Sequence, residues 1–268
     1  ASGLEIAFRL DPAILDGRFA NNGWLQELPK PLTKITWDNA ALISQATAQR
    51  LGLGNNAGWK GTEVLVGNIR IDHRGKSITC PTWIMPGQPD DVVTVHLGYG
   101  RRKAGQVGNN RGFDAYEIRT SDSPWVATGA TVERAAGEHQ LAVTQLHFNM
   151  EGRDILRTGT LAEYVQSANE GARDQGGAAH GEDEHKKAFG EKDPPTHVPR
   201  PDETLYGNEH KYEGYAWGMA IDANSCIGCN ACIVACQSEN NIAVVGKEQV
   251  VRSREMHWLR VDTYFEGH

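Results

Sequence analysis

The sequence predicts a mixed β/α fold, a compact β-barrel with inserted helices followed by a small cysteine-bearing α+β segment. Three observations carry this. Short β-like runs punctuated by Gly and Pro recur through residues 1–165, one helical stretch interrupts them, and four of the five cysteines crowd into residues 226–236.

The β-like runs come in order. The chain opens on a strand-like segment, ASGLEIAFRL. EVLVGNIRI follows at 63–71, SITCPTWIMP at 77–86, DVVTVHLG at 91–98, ATVERA at 130–135 and HQLAVTQLHF at 139–148. Val, Ile, Thr and Trp are enriched in them. Between the first two, Asp38 is the expected N-cap of a helix over ALISQATAQRLGLG, where Leu42, Ile43, Ala46 and Leu51 recur at helical spacing and Gly52 or Gly54 ends the run. Many short strands with one helix suit a barrel better than alternating βαβ units. Residues 166–213 are polar, rich in Gly, Pro and charge, and read as a linker or wrapping arm. Its His180, His185, His197 and His210 are irregularly spaced and read as solvated. Residues 214–268 lead into the cysteines and then into MHWLRVDTYF at 256–265, an expected strand with Trp258, Arg260, Asp262 and Tyr264 on one face and His257, Leu259, Val261, Thr263 and Phe265 on the other.

Composition narrows the function. A net charge of −7 over 268 residues argues against a nucleic-acid binder. No apolar run approaches the roughly 18 residues of a membrane span, so no transmembrane segment is expected. Five cysteines make no even disulfide framework. Cys80 reads as a buried small hydrophobe, and His96 and His147 as ordinary histidines of strand-like runs.

The cysteines carry the chemistry. Cys226, Cys229, Cys232 and Cys236 are spaced C-x2-C-x2-C-x3-C, the spacing at which thiolates hold iron–sulfur clusters. Three cysteines three apart let a tight loop present three sulfurs to three irons. Gly228 and Ala231 are small enough for backbone amides to approach the sulfides and raise the potential. Ile227, Ile233 and Val234 are expected to exclude water, and Cys236 to fall where the loop becomes a helix and to point away from the other three. Structural zinc prefers two separated knuckles, and a C-x-x-C redox pair leaves two cysteines over. Position 237 is Gln where simple ferredoxins have Pro. In two-cluster ferredoxins the fourth cysteine of such a run serves the other cluster. Either one cubane takes all four cysteines, or the chain is a fragment of a longer protein, which the abrupt start and the ending VDTYFEGH fit.

The stretch SCIGCNACIVACQSENNIAVVGKEQVVRSREMHWLRVD resembles the first cluster motif of the four-cluster ferredoxin subunits of the dimethyl-sulfoxide-reductase superfamily. WLQELPKPLTKITWDNAALIS, PTWIMPGQPDDVVTVHLGYGRRKAGQVG and GFDAYEIRTSDSPW resemble the C-terminal domain of molybdopterin oxidoreductases. Together they look like the fused iron–sulfur protein of alternative complex III. The resemblance implies a double-psi β-barrel over 1–165, an arm over 166–213 and the start of a ferredoxin-like domain over 214–268. It implies 4Fe–4S clusters, with Cys226, Cys229 and Cys232 on one and Cys236 on a second, and no molybdopterin. It further implies a quinol-oxidising membrane subunit and multihaem cytochromes as partners. The expected place is the periplasmic face of the cytoplasmic membrane, reached by twin-arginine export, with the cytoplasm as the alternative.

The glycine-rich, basic loop GYGRRKAGQVGNNRG at 98–112 could meet a pterin's phosphates through Arg101 and Arg102. A structural loop, with Arg102 or Lys103 paired to Asp90 or Asp91, is the preferred reading. His257, Trp258 and Arg260 could shield a cluster or simply pack; Asp222 and Asn224 set loop geometry. No catalytic constellation emerges. The expected function is an electron relay in a respiratory quinol-oxidising complex. The alternatives are part of an active molybdopterin oxidoreductase, with the pterin held partly by residues 95–110, or a zinc-binding assembly module.

Overall fold

A computed structural model describes residues 2–54, 58–60, 63–153, 160–162, 165, 213–215 and 218–266. The expected arm over 166–213, with its four histidines, lies outside the described residues apart from Glu213, which is exposed. Residues Ala1–Phe148 and Asn224–Gly267 form one compact unit. In the other, Asn149–Ala223, a turn at 150–153 is fastened by the Arg153–Glu151 ion pair at 2.9 Å.

The first unit is built on a closed barrel. Its strands are β1 (Ser2–Arg9), β2 (Ile35–Thr36), β3 (Ala41–Ile43), β4 (Gly58–Lys60), β5 (Glu63–His73), β6 (Lys76–Ile84), β7 (Val92–His96) and β8 (Val126–Val143). They run in the order β2-β8-β1-β7-β3-β6-β5-β4, and β8 also pairs with β5. The β5–β8 ladder runs antiparallel from Val64↔Leu141 to Asp72↔Thr131 and closes six strands on themselves. Two pairings are parallel, β1 with β7 and β3 with β6. The sheet is therefore mixed, and closure leaves those six strands without a free edge. Alternate residues point inward: Leu4, Ile6 and Phe8 of β1, Ile69 and Ile71 of β5, Val93 and Val95 of β7, and Val132 of β8 fill the core with Ile43, Leu97 and Ile118. Cys80 is buried among them, and burial pushes its thiol far up.

The expected strands at 63–71, 77–86 and 91–98 appear as β5, β6 and β7. Two readings are corrected. The runs 130–135 and 139–148 are not separate strands: β8 is continuous for 18 residues and stops at Val143. Gly137, with φ +84°, does not end it; the ladder slips between Gly67 and Asn68 opposite 135–138, so the glycine marks a bulge. The helix expected from Asp38 is divided. Ala41–Ile43 is a strand between β7 and β6, and helix α2 (Gln45–Arg50) starts only at Ser44, whose hydroxyl accepts from Thr47 N at 3.1 Å. A short apolar run fits either element until its neighbours are known. Gly52, φ +66°, follows the helix as foreseen.

The 98–112 loop explains its own glycines. A Cβ on Gly100 would lie 2.3 Å from Asp114 N, on Gly108 2.5 Å from Ala20 O, and on Gly112 2.3 Å from Asn39 Oδ1. Asn39, fully buried, ties this loop to the barrel: its amide donates to His96 O and Phe113 O at 3.0 Å and accepts from Phe113 N at 2.9 Å. Gly112→Ala therefore meets both a positive φ of +61° and the Asn39 amide. It is expected to cost about 2–4 kcal/mol. Gly75→Ala, at φ +77° in open space, is expected to cost about 1 kcal/mol. Urea unfolding of the two variants measures the difference.

Candidate metal centre

The four cysteines span a loop and a helix. Cys226 and Cys229 lie in the loop before helix α3 (Ala231–Glu239); Cys232 and Cys236 lie on the helix itself, so the helix takes in the third cysteine as well as the fourth. Four residues apart on a helix, these two sit on one face, with Cβ atoms typically about 5–6 Å apart. Two left-handed residues, Gly228 at φ +66° and Asn230 at φ +62°, make the loop tight. Cys226, Cys229 and Cys232 are exposed, Cys236 is half-buried, and none is in a disulfide.

The opposite side of this segment is fixed to the barrel unit. Asn230 is buried and donates to Pro29 O. Ile233 is 2% exposed and packs with Ala13, Ile14, Leu28 and Tyr99. Helix α1 (Gly23–Glu27) supplies two further ties. Trp24 Nε1 donates to Ile242 O at 2.7 Å, and the buried Glu27 carboxyl accepts from Val245 N at 3.1 Å, Gly246 N at 2.8 Å and Trp37 Nε1 at 3.1 Å. Helix α4 (Lys247–Val251) follows; Val250 and Val251 pack on Trp37 and Ala142. Lys247 Nζ meets Asp38 Oδ2 at 2.7 Å, and His139 Nε2 meets the same oxygen at 2.6 Å. Burial alone would raise the Asp38 carboxyl, but His139 and Lys247 outweigh it and hold it below the usual carboxylate range. Asp38 is thus an anchor for the cysteine segment rather than a helix cap.

Residues 256–265 keep the expected two faces without forming the expected strand. His257, Leu259, Val261, Thr263 and Phe265 are half-buried, and Trp258, Arg260, Asp262 and Tyr264 are exposed. Instead of a ladder, side chains hold the backbone. Gln145 donates to Thr263 O at 2.7 Å and accepts from Thr263 N at 2.8 Å, and Arg260 donates to Thr144 O at 2.8 Å. Phe265 N makes one bridge to Phe148 O at 2.8 Å.

Beneath Pro29 lies a buried polar group that sequence reasoning missed. Lys30 Nζ sits 3.2 Å from Asp11 Oδ2 as an ion pair without an aligned hydrogen bond, and 3.0 Å from the Tyr99 hydroxyl. Asp11 Oδ1 accepts from Ala13 N and Ile14 N at 2.9 and 3.0 Å. Burial, with nearby Asp11 and Asp38, holds the Tyr99 phenol well above its ordinary range. Burial pushes His96 down to about 4, so it is neutral at pH 7. No local motif announces this group, because its members are far apart in the chain.

The donor set fits an iron–sulfur cluster: four thiols in eleven residues, three of them exposed and none in a disulfide. Among the described residues, no three His, Cys, Asp or Glu side chains converge closely enough to hold an ion. Of the expected water-excluding residues, Ile233 is buried and Val234 half-buried, but Ile227 is 82% exposed. The glycine loop offers little to a phosphate. Its close glycines face protein atoms, Arg101 donates to Gly17 O, and Arg111 stacks on Trp37 at 5.1 Å. The expected pairing of Arg102 or Lys103 does not form: Asp91 pairs with Arg50, and Asp90 accepts from Ser44.

No family model matches the chain. A stretch of 45 residues is 70% identical to the menaquinone reductase iron–sulfur cluster-binding subunit of Nitratidesulfovibrio vulgaris (strain Hildenborough). That stretch is 17% of this chain and 17% of the relative. Among solved structures, acetylene hydratase from Pelobacter acetylenicus is similar over 49% of this chain and 18% of its own, at 13% identity and a TM-score of 0.36. The 45-residue sequence match alone supports a relation to iron–sulfur oxidoreductases. Among the described residues, no helix is long and apolar enough to cross a membrane.

Because the folded-state value of Asp38 is depressed, its contribution is complete above the usual Asp range, about 3.9, and is lost as pH falls through the folded value. Asp38→Asn is expected to cost about 1–3 kcal/mol at pH 7 and to flatten the acid side of the stability profile. Denaturant unfolding from neutral to acid pH measures both.

Proposed function

We propose that this chain is the barrel and first cluster motif of an electron-transfer subunit in a respiratory complex that oxidises quinol. Cys226, Cys229 and Cys232 serve one 4Fe–4S cluster and Cys236 a second. The observation that carries this is the disulfide-free C-x2-C-x2-C-x3-C set, with Cys226, Cys229 and Cys232 exposed and Cys236 half-buried, held by its opposite face to the barrel. The barrel is of double-psi type, without pterin, and residues 214–268 open a ferredoxin-like domain. The partners are a quinol-oxidising membrane subunit and multihaem cytochromes, at the periplasmic face of the cytoplasmic membrane. The matched subunit is named for menaquinone reduction, the reverse direction of flow; a relay of single electrons serves either.

When bound, the clusters supply reversible one-electron transfer. The chain's own task is placement and environment. Asn230 and Ile233 fix the start of α3, and Glu27 and Lys247 hold the return chain, so the thiols keep their separation from the barrel. Val234 and Ile233 line the protein side with hydrocarbon.

Anaerobic purification of the protein expressed from its full reading frame tests this. Iron and acid-labile sulfide with a reducible paramagnetic signal are expected. Cys229→Ser is expected to remove or convert one cluster signal and Cys236→Ser a different one. Zinc without sulfide would sink the relay reading, and stoichiometric molybdenum with a pterin would replace it with an enzymatic one.

A further inference from the structure

Between α3 and the returning chain lies a cavity of about 70 Å³, walled in part by Ile233, Glu255, His257, Arg260 and Asp262. It is well above the roughly 10–15 Å³ that one water requires. Glu255 Oε2 and His257 Nε2, on residues that line it, and Oε1 of the adjacent Gln237 are buried and have no protein partner among the described residues. Leaving such atoms bare carries their full desolvation penalty, so water is the natural partner.

Gln237 follows Cys236 on α3 and reaches the cavity lining through His257. It is buried, and its Nε2 lies 3.4 Å from His257 Nδ1. A donor on Nδ1 puts the neutral ring's proton on Nε2, toward the cavity. An imidazolium needs an acceptor on Nδ1 instead, and a half-turn of the same amide brings Oε1 there. Gln237 can therefore partner both protonation states.

We propose that the cavity is a buried water site through which His257, with Glu255 beside it, takes up one proton when a cluster on the neighbouring thiolates gains one electron. This rests on the iron–sulfur reading above. The electron comes from a one-electron donor of the haem or iron–sulfur class, and the proton from bulk water. The imidazole becomes imidazolium, the cluster gains one negative charge, and the sum is neutral. Burial, then Arg260, hold His257 below the ordinary imidazole range, so it is neutral at pH 7 until that negative charge arrives. Burial keeps Glu255 above the usual carboxylate range, and Glu27 on α1 adds to this. The remaining charges facing the site are Arg260 and Asp262 of the same segment, with Lys34 beyond them.

The test is redox titration of the full-length protein against pH. Between the oxidised and reduced values of His257, the potential of one cluster is expected to fall by about 59 mV per tenfold drop in proton activity, and His257→Gln to flatten it. Glu255→Gln is expected to move the sloping region to lower pH. A flat wild-type profile, or a slope that survives His257→Gln, overturns the proposal. If the protein takes up no iron, the functional reading fails separately, and NMR titration of His257 then decides the site. A lowered value that falls further in Glu255→Gln supports the site, and a titration indifferent to Glu255 overturns it.

Discussion

Closure of the barrel by β8 against β5 is the constraint on which the rest of the structure depends. An 18-residue strand serves β1, β5 and β2 in turn, bending as it passes from one to the next. The bulge beside Gly137 absorbs the bend. Once closed, six strands share one apolar interior, and the connections are forced outside it. The segment from Asp11 to Asp38 is the most structured of these. It carries α1, the Lys30–Asp11 pair and the acceptor groups that later receive the cysteine segment.

That reception combines apolar packing with specific polar ties. Ile233, Val234, Leu259 and Val261 on one side, Val245, Val250 and Val251 on another, and Phe265 against Phe148 supply the apolar contacts. Register is set by groups that accept only one geometry: the Glu27 carboxyl on two successive amides, Asp38 between His139 and Lys247, Gln145 clasping Thr263 on both sides. Hydrogen bonds to a charged group contribute about 1.5–3 kcal/mol each, and a slip by one residue would forfeit several at once while leaving buried charge bare. Polar docking therefore gives a precision of placement that hydrocarbon alone does not.

Much of this was legible where the signal is local. The β-like runs at 63–71, 77–86 and 91–98 alternate and end in turn residues, and they form strands. Residues 256–265 show their two faces in sequence, and the structure keeps them even though side chains replace the ladder. The failures have one physical source. Ala41–Ile43 is a strand because β6 and β7 flank it, and Asp38 is an anchor because Lys247 lies beside it, 209 residues away. Neither neighbour is visible from the local pattern. The glycines at 98–112, preferred from sequence as a structural loop, make room for Asp114, Ala20 and Asn39, contacts that the local pattern does not name. The cysteine spacing was legible as chemistry; the burial of one side of its helix and the exposure of the other were not.

That asymmetry bears on how a relay would work. Electron transfer between centres depends steeply on distance, so a cluster carrier needs rigid ligands and an approachable outer side. A thiol loop buried in the barrel would be rigid but remote; one on a free arm would be approachable but variable in position. Here Asn230 at φ +62° is locked on Pro29 immediately before α3, and Ile233 is buried one residue after the third cysteine, while Cys226, Cys229 and Cys232 stay exposed. Rigid backing and open thiols meet within a few residues, because the tight loop carries Cys226 and Cys229 outward and α3 exposes Cys232 while burying Ile233 beside it.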